Sequence, residues 1–220
     1  MKRVLITGGS RGIGKAIADL FRERGWEVLA PTRMEMNLAD KNSIADYCAS
    51  LTGSIDAIIN NAGINNIATL DQLGDGLFEE MIQVNLKAPV QIVRCLHEKL
   101  KENIIGHIVN VSSIWGFVSK EGRLGYAAAK TGIIGATRTM AIELGKDNIL
   151  VNAVAPGFVN TELTSKNNTV EQILEIESKL PLGRMAEPEE IAKFVYFLAS
   201  DENTFITGQT ILIDGGYTCQ

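Results

Sequence analysis

The sequence predicts an α/β fold, a doubly wound parallel sheet of about six strands in a single domain that covers residues 1–220. Short apolar and β-branched runs alternate with longer helical patterns along the whole chain, as in successive βαβ units. Several of these runs are apolar almost throughout, which is typical of strands covered by helices on both faces of a sheet. The length also suits one full-sized domain and is too short for two independent cores.

The individual elements follow from this alternation in chain order. Pro188 suits the first turn of a helix, where a missing N–H group costs nothing. Six apolar runs predict strands at Arg3–Thr7, Glu27–Ala30, Ala57–Asn60, His107–Val111, Leu150–Ala155 and Thr210–Ile213. Apolar residues at helical spacing predict helices at Ile13–Arg24, Asn42–Leu51, Gly76–Glu102, Tyr126–Gly145, Val170–Ser178 and Pro188–Leu198.

One interval is too short for a regular alternation of strands and helices. Only nine residues separate Thr32, at the end of the second strand, from the helix that begins at Asn42. A parallel crossover with its helix needs at least ~10–12 residues before the next strand begins. We therefore expect that a helix, together with a strand, is missing from the alternation after the second strand.

Composition and charge exclude several classes of function. Twenty-one basic against 26 acidic residues give a net charge of −5, with no basic block that would bind nucleic acid. No run reaches the ~18 apolar residues of a membrane helix. The basic start, Lys2 and Arg3, resembles that of a signal peptide, but the glycines after Thr7 interrupt the apolar run that would have to follow it. Cys48, Cys95, Cys219 and the two histidines show no metal-ligand spacing. We expect a cytoplasmic protein with no nucleic-acid partner, no membrane partner and no metal.

A glycine-rich turn joins the first strand to the first helix. The strand runs directly into Thr7-Gly8-Gly9-Ser10-Arg11-Gly12-Ile13-Gly14, the strand–turn–helix context that a phosphate-binding turn requires. Gly8 allows the tight turn, Gly12 lets the backbone approach a pyrophosphate, and Gly14 lets helix and strand pack closely. The turn predicts a Rossmann-like nucleotide site, with a merely tight strand–helix turn as the alternative.

The end of the second strand bears on the choice of cofactor. A carboxylate at this point binds the ribose 2′-hydroxyl of NAD(H), but here the strand ends Ala30-Pro31-Thr32-Arg33. Arg11, in the glycine turn, and Arg33 together match the charge of a 2′-phosphate. NADP(H) is therefore favoured over NAD(H), and the alternative is that both arginines are solvated surface charges.

A tyrosine and a lysine form the third candidate site. Tyr126 and Lys130 lie one turn apart on one face of a predicted helix. An ammonium near a phenol favours the phenolate, so we expect the pKa of Tyr126 to be lowered toward neutrality, as a general acid for carbonyl reduction needs. Ser113, after the strand His107–Val111, is placed to donate a hydrogen bond to the same substrate oxygen. A Tyr-x-x-x-Lys pair alone is common on helix surfaces, so the prediction depends on this combination.

Further motifs stand in a characteristic order along the chain. They are Asn60-Asn61-Ala62-Gly63, Val84-Asn85-Leu86, Val111-Ser112-Ser113, Ala155-Pro156-Gly157-Phe158-Val159-Asn160-Thr161 and Ile213-Asp214-Gly215-Gly216. With the glycine turn, Tyr126 and Lys130, they resemble the motifs of the short-chain dehydrogenase/reductase family, of the compact type that includes the 3-oxoacyl-acyl-carrier-protein reductases. The resemblance extends over residues 1–220.

The resemblance implies a role for each catalytic candidate. Tyr126 would give a proton to the carbonyl oxygen, and Ser113 would polarise the carbonyl. Lys130 would bind the nicotinamide ribose and depress the pKa of Tyr126, while Asn85 would hold a water that links Lys130 to solvent. Ser112 is a rival to Ser113, but the spacing of thirteen residues to Tyr126 matches the family for Ser113.

The resemblance also implies a set of cofactor-binding residues. Asn37 stands where the family usually has an aspartate that contacts adenine, and an amide still offers hydrogen bonds there. Asn60 and Ala62 would line the adenosine side, while Thr161 and the Val159 backbone would hold the carboxamide. The full set is Gly8, Ser10, Arg11, Gly12, Ile13, Gly14, Arg33, Asn37, Leu38, Asn60, Ala62, Gly63, Tyr126, Lys130, Pro156, Gly157, Val159 and Thr161.

The implied reaction is hydride transfer between NADP(H) and a small-molecule carbonyl or secondary alcohol. Two alternatives stay open: a catalytically idle NADP-binding sensor or scaffold, and a reductase that acts on a sugar or sugar nucleotide. The intact catalytic set argues against the sensor. The segment Asn160–Lys179 is predicted to form a lid over the site, with a mobile polar loop at Thr164–Thr169.

The chain is further predicted to form a homo-oligomer, a tetramer or a dimer. The helix Tyr126–Gly145 carries many small residues that let another helix backbone come close: Ala127, Ala128, Ala129, Gly132, Gly135, Ala136 and Ala141. The helix Gly76–Glu102 is expected to expose Val90, Val93 and Leu96, and such an apolar patch is uncommon on monomers. Pairing of these two helices about two-fold axes, which the resemblance implies, predicts a tetramer with D2 symmetry.

Overall fold

The structure, a computed structural model, describes residues 1–162, 164 and 168–219. Its six strands are all parallel and lie in the order β2-β1-β3-β4-β5-β6, which confirms the predicted doubly wound α/β sheet. Their bounds differ from the predicted ones by one residue at most. They are β1 Arg3–Ile6, β2 Glu27–Leu29, β3 Ala57–Asn60, β4 Gly106–Val111, β5 Ile149–Pro156 and β6 Thr210–Ile213.

The predicted helices are also present, with one interruption. The segment predicted as a single helix over Gly76–Glu102 is divided by a π-helical turn at Gln83–Lys87, and π-turns of this kind are frequent at functional sites. The helices of eight or more residues in the described part are α1 Gly12–Glu23, α2 Lys41–Ser50, α3 Asp75–Ile82, α4 Ala88–Lys101, α5 Leu124–Leu144, α6 Val170–Ser178 and α7 Pro188–Leu198.

Helices cover both faces of the sheet because side chains alternate along each strand. In β1, Val4 and Ile6 pack in the core under α1 and α7, whereas Leu5 packs in the second core under α2 and α4. Two residues expected on the surface of α4, Val93 and Leu96, are 4% and 0% exposed and belong to this second core. That expectation was wrong, since these side chains face the sheet.

The structure confirms that a helix is missing after β2. A turn at Thr32–Glu35 leads directly toward α2, whose first turn is capped by the Asp40 carboxylate accepting from the Asn42 N–H at 2.8 Å. As a result β2 is the edge strand, and α2 is the crossover that carries the chain past β1 to β3. The adenine side of the sheet is therefore bounded by a loop and not by a further strand.

This topology fixes where a ligand site forms. Chain connections leave β1 in opposite directions, toward β2 on one side and β3 on the other, so the crevice between β1 and β3 is the switch point at which open α/β sheets bind ligands. Within the part of the chain that is described, no helix has the length and apolar content to cross a membrane.

Candidate active site

A cleft of about 740 Å³ lies at the carboxyl ends of the strands, at this switch point. It collects residues from the glycine turn, the loop after β2, the end of β4, the start of α5, the segment after β5 and the helix α6. All predicted cofactor-binding residues except Asn60 line it, and so do Ser113, Tyr126 and Lys130. The separate motifs of the sequence are thus brought to one place.

The glycine turn has the conformation that a phosphate cradle requires. Gly8 and Gly12 have φ angles of +68° and +52°, which glycine adopts without strain. A Cβ atom on Gly14 would lie 2.0 Å from the Gly8 carbonyl oxygen, so no side chain fits there. No side chain caps the start of α1 and its first turn holds no acidic residue. The open N–H groups and the positive helix end fit a dinucleotide pyrophosphate.

Hydrogen bonds between the ends of β1 and β3 hold this turn in place. The Thr7 hydroxyl accepts from the backbone N–H groups of Asn61 and Ala62, both at 3.0 Å. The Asn61 amide donates to the Thr7 and Gly8 carbonyl oxygens at 3.0 and 3.3 Å. Asn61 was not predicted as a site residue. Neighbouring side chains of a strand point to opposite faces of the sheet, and the sequence does not show which residue of the Asn-Asn pair faces the cleft.

Asn60 does not reach the cleft. Its side chain is 3% exposed and donates to the Asn110 amide oxygen at 2.8 Å, while Asn110 donates to the Thr137 hydroxyl at 2.9 Å. Asn60 shares a strand face with Ile58, two residues earlier, and this face is turned toward α5. The structure therefore gives Asn60 a place in a buried polar chain and not on the adenosine side.

The loop after β2 offers positive charge and no carboxylate to the cleft. Arg11 and Arg33 are exposed, line the cleft, and form no ion pair with any described residue. Of the two carboxylates in this loop, Asp40 caps α2, and Glu35 turns away and accepts from the Thr32 N–H and hydroxyl at 2.8 and 2.9 Å. A ribose 2′-hydroxyl thus finds no acidic partner in this loop.

Asn37 and Leu38 complete the adenine end. The Asn37 side-chain oxygen accepts from the Ala39 N–H at 3.1 Å, and the Asn37 N–H donates to the Ser43 hydroxyl at 2.9 Å. The Leu38 carbonyl accepts from the Gln83 amide at 3.2 Å. These bonds fix the loop against α2 and the π-turn, which leaves the Asn37 side-chain NH₂ group for a ligand.

The hydroxyl groups of Ser112 and Ser113 make different hydrogen bonds. The Ser112 hydroxyl donates to the Lys130 carbonyl at 2.8 Å and so ties β4 to α5. The Ser113 oxygen accepts from the Trp115 N–H at 3.2 Å, which orients the side chain and leaves its proton available as a donor. Ser113 is therefore the serine that can donate to a substrate oxygen.

Tyr126 and Lys130 lie beside Ser113 at the start of α5. The Lys130 ammonium stands 5.5 Å from the centre of the Tyr126 ring and donates to the Val111 carbonyl at 2.7 Å. Lys130 is 3% exposed, and burial lowers its pKa to about 8. A lysine with such a pKa exchanges protons near neutral pH, as a relay group must.

The pKa of Tyr126 differs from the expectation. Burial raises it, while a hydrogen bond with Ser113 and the charge of Arg123 oppose this rise only in part. The prediction that Lys130 lowers the Tyr126 pKa toward neutrality was wrong for the protein by itself, because desolvation of the phenol dominates. Tyr126 is consequently held in its protonated form, which is the form that donates a proton.

Asn85 lies directly behind this group, within the π-turn. Its amide oxygen accepts from the Ile64 N–H at 3.1 Å, and its NH₂ group donates to the Ile64 and Met81 carbonyls, both at 2.9 Å. A Cβ atom on Gly63 would lie 2.6 Å from the Asn85 oxygen and 3.6 Å from the Lys130 nitrogen. Asn85 itself does not line the cleft, but Gly63 allows it to approach Lys130 closely.

The segment after β5 forms the opposite wall. Gly157 packs so closely on Asp214 that a Cβ atom would lie 2.8 Å from the Asp214 Cα. An isolated bridge between Val159 and Ala186 holds the chain that follows. Thr161 lies over the glycine turn, where its methyl group would touch a Cβ atom on Gly12 at 3.4 Å. Pro156, Gly157, Val159 and Thr161 thus contribute backbone and hydroxyl groups to the lining of the cleft.

The predicted lid is described in part. Residues 163 and 165–167 lie outside the described residues, so the mobile loop predicted there is not tested. The helix α6, with a capping box formed by Thr169 and Gln172, lines the cleft through Gln172, Glu175 and Ile176. An aromatic cluster that the sequence does not indicate, Trp115, Phe158 and Tyr217, lies opposite, with ring centres 6.2 and 5.3 Å apart.

The fold and site define the class of protein. A family model described as enoyl-(acyl carrier protein) reductase matches residues 30–218, and one described as short chain dehydrogenase matches residues 2–43. The chain belongs to the short-chain dehydrogenase/reductase family, and it is an NAD(P)-dependent oxidoreductase. Among the residues described, no group of three His, Cys, Asp or Glu side chains is placed to hold a metal.

Relatives and solved structures agree with this class. The chain is similar to 3-oxoacyl-acyl-carrier-protein reductase FabG of Thermotoga maritima, with 39% identity over 98% of this chain and 97% of the relative. The FabG of Vibrio cholerae is 35% identical over 98% and 96%. The structure of this chain is similar to that of 4-hydroxyisoleucine dehydrogenase complexed with NADH, with a TM-score of 0.93, 33% identity and 100% of both chains covered.

A second solved structure carries the other cofactor. It is described as a putative NAD(P) dependent gluconate 5-dehydrogenase from Beutenbergia cavernae with bound NADP. Its TM-score is 0.91 at 30% identity, with 100% of this chain and 97% of that chain covered. The neighbours in structure thus include complexes with both NADH and NADP.

Proposed function

We propose that this chain is an NADP(H)-dependent oxidoreductase that interconverts a small-molecule carbonyl and a secondary alcohol by hydride transfer. The observation that carries the proposal is the meeting of Ser113, Tyr126 and Lys130 in the cleft that also contains the glycine turn. The names of the relatives, reductases of 3-oxoacyl groups and dehydrogenases of hydroxy compounds, support the same type of reaction.

The groups around the carbonyl divide the chemistry between them. When bound, the reduced nicotinamide cofactor supplies a hydride, with its electron pair, for the carbonyl carbon. Tyr126 gives its hydroxyl proton to the carbonyl oxygen, so that the C=O π bond is replaced by one C–H and one O–H bond. Ser113 donates a hydrogen bond to the same oxygen and stabilises the negative charge that develops there. Alcohol oxidation reverses these transfers.

Lys130 and Asn85 serve the proton that Tyr126 loses. The buried Lys130 ammonium, with its pKa lowered to about 8, returns a proton toward the phenolate at neutral pH. Asn85 stands behind Lys130 and positions the relay to solvent. The alternative function is that of a catalytically idle sensor or scaffold. Such a protein would have no use for the intact set of Ser113, Tyr126, Lys130 and Asn85.

The preference for NADP(H) is supported by charge at the β2 end of the cleft. Arg11 and Arg33 have no acidic partner among the described residues, and Glu35 is directed away. A 2′-phosphate would supply the negatively charged partner that both guanidinium groups lack. The glycine turn, Asn37, Ala62 and the segment from Pro156 to Thr161 would hold the rest of the cofactor.

We further propose that the chain forms a homo-oligomer, a tetramer with D2 symmetry or a dimer, in the cytoplasm. Ala128, Gly135 and Ile142 follow each other at intervals of seven on the exposed face of α5, and Ile142 is 82% exposed. Such a face suits close contact with a second copy of the helix. Three free cysteines suit a reducing compartment. A mass near 23.9 kDa in light scattering would exclude this assembly.

Turnover distinguishes the proposed enzyme from its alternatives. The purified chain is incubated with NADPH or NADH and a panel of aliphatic ketones, keto acids and ketoses, and cofactor oxidation is followed. Oxidation of NADPH in preference to NADH with at least one ketone or keto acid is expected. Tight binding of NADPH without turnover of any carbonyl would support the sensor, and turnover of ketoses alone would support the sugar reductase.

A further inference from the structure

A half-buried arginine stands beside the catalytic residues. Arg123 is the residue immediately before α5, and it lines the cleft three residues ahead of Tyr126. The Arg123 Nε atom is fully buried and has no hydrogen-bond partner. Burial also lowers the pKa of the guanidinium, against a small opposing effect of Tyr126. Desolvation of a charge that has no counter-ion is costly, which indicates that a ligand completes this site.

The remaining contacts of Arg123 orient it without neutralising it. Its Nη1 atom donates to the Asn65 side-chain oxygen at 2.7 Å, and the segment that carries Asn65 is tied back by the Ala68 N–H donating to the Gly122 carbonyl at 3.2 Å. An amide oxygen satisfies one of five N–H donors but carries no charge. The other four donors of Arg123 have no acceptor among the described residues.

No carboxylate of the cleft serves as the missing partner. Glu80, Glu162 and Glu175 also line the cleft, but none forms an ion pair with Arg123, and Glu175 pairs with Lys179 at 2.6 Å. Within the described part of the cleft Arg123 thus has no negatively charged partner, and a ligand is left to supply one.

We propose that the substrate carries a free carboxylate, bound by Arg123, a few bonds from the carbonyl that Tyr126 and Ser113 activate. A single guanidinium matches one carboxylate in charge and in its two-pronged geometry. A thioester or a neutral sugar would leave the half-buried cation without a counter-charge. This inference rests on the proposed function and narrows its substrate class to keto acids and the corresponding hydroxy acids.

Matched substrates test this inference directly. Pyruvate, acetoacetate and levulinate place the carboxylate at increasing distance from the ketone, and the methyl ester of each removes the charge and adds one methyl group. The wild-type protein is expected to reduce the best keto acid at least tenfold more efficiently, in kcat/KM, than its ester. Arg123→Gln should lower the acid's kcat/KM by about 10–100-fold, the value of a charge-assisted hydrogen bond, and the ester's by less than threefold. Lys193→Gln, which removes an exposed charge on α7, is the control and should change neither.

A binding measurement separates failure of this inference from failure of the proposed function. Trp115 lines the cleft, whereas Trp26 packs in the core, so tryptophan fluorescence reports on ligands in the cleft. With NADP⁺ present, butyrate should bind at least tenfold more tightly than butyramide, and Arg123→Gln should abolish the difference.

These measurements distinguish failure of the carboxylate inference from failure of the proposed function. Equal turnover of acids and esters by the wild type, or an equal loss of both in Arg123→Gln, overturns the carboxylate inference while the reductase activity stands. No turnover of any carbonyl overturns the proposed function, and the butyrate titration then still decides whether Arg123 binds a carboxylate. Equal binding of butyrate and butyramide overturns the carboxylate inference in either case.

Discussion

Replacement of Lys130 by Met should stabilise the protein while it abolishes activity. Burial lowers the pKa of Lys130 from 10.5 to about 8, and no nearby charge offsets this effect. Each pKa unit corresponds to about 1.4 kcal/mol, so holding the charged form in the folded protein costs about 3 kcal/mol. Methionine fills a similar volume without charge but loses the hydrogen bond to Val111, worth about 1 kcal/mol. The expected gain at pH 7 is therefore about 2 kcal/mol.

The sign of the pH dependence follows from proton binding. Between about pH 8 and 10.5 the unfolded chain holds the Lys130 proton and the folded protein has released it, so the wild-type free energy of unfolding rises with pH in this window. The advantage of Lys130→Met should thus be complete at pH 7 and fall to near zero at about pH 10. Other groups titrate equally in both proteins and cancel in the difference.

Urea unfolding at pH 7 and pH 10, with the cofactor absent, measures these differences. Lys193→Met, which replaces an exposed helical lysine, should change the free energy of unfolding by less than about 0.5 kcal/mol at either pH. A destabilised Lys130→Met protein at pH 7, or a difference that does not change between the two pH values, would refute the reasoning that Lys130 is retained for function at a cost in stability.

Two further predictions concern the cofactor. Arg33→Asp should weaken NADPH binding by about one to two decades and leave NADH binding unchanged or improved, since a charge-assisted hydrogen bond contributes ~1.5–3 kcal/mol; equal affinities of the parent protein for the two cofactors in calorimetry would contradict this. Gly14→Ala should abolish measurable binding of both cofactors, because its Cβ atom would lie 2.0 Å from the Gly8 carbonyl; the exposed Gly135→Ala, with no atom near its Cβ, is the control and should bind as the parent does. Retention of cofactor affinity in Gly14→Ala would exclude the glycine turn as the phosphate cradle.

Much of the fold could be predicted from the sequence because local pattern and global topology agree. Each strand is a short apolar run between turn residues, and the interval after Thr32 has too few residues for another crossover, which is a purely geometric limit. The interruption of the helix at Gln83–Lys87 was not predicted, since a single π-turn shifts the spacing of apolar residues by only about one residue, and since the tertiary bonds of Asn85 to Ile64 are not visible in the sequence.

The site was predictable where a motif fixes residue type and less so where burial decides. Tyr126 and Lys130 were found from their spacing, but the direction of the Tyr126 pKa shift depends on desolvation, which spacing does not reveal. The place of Asn60 depends on which face of β3 its side chain takes. Arg123 reads in the sequence as one more polar residue before a helix, and only the packing of the Asn65 segment against it shows that its charge is half-buried without a charged partner.

The rate of ketone reduction by Tyr126→Phe tests the central claim most directly. The substitution removes the proton donor and leaves the ring to pack as before, so cofactor affinity should change little. General acid catalysis contributes ~10²–10⁴-fold, and reduction of the best carbonyl substrate by NADPH should slow by at least that factor. A Tyr126→Phe protein that binds NADPH normally and keeps more than a tenth of the parent's turnover would contradict the assignment of Tyr126 as the acid of this reaction.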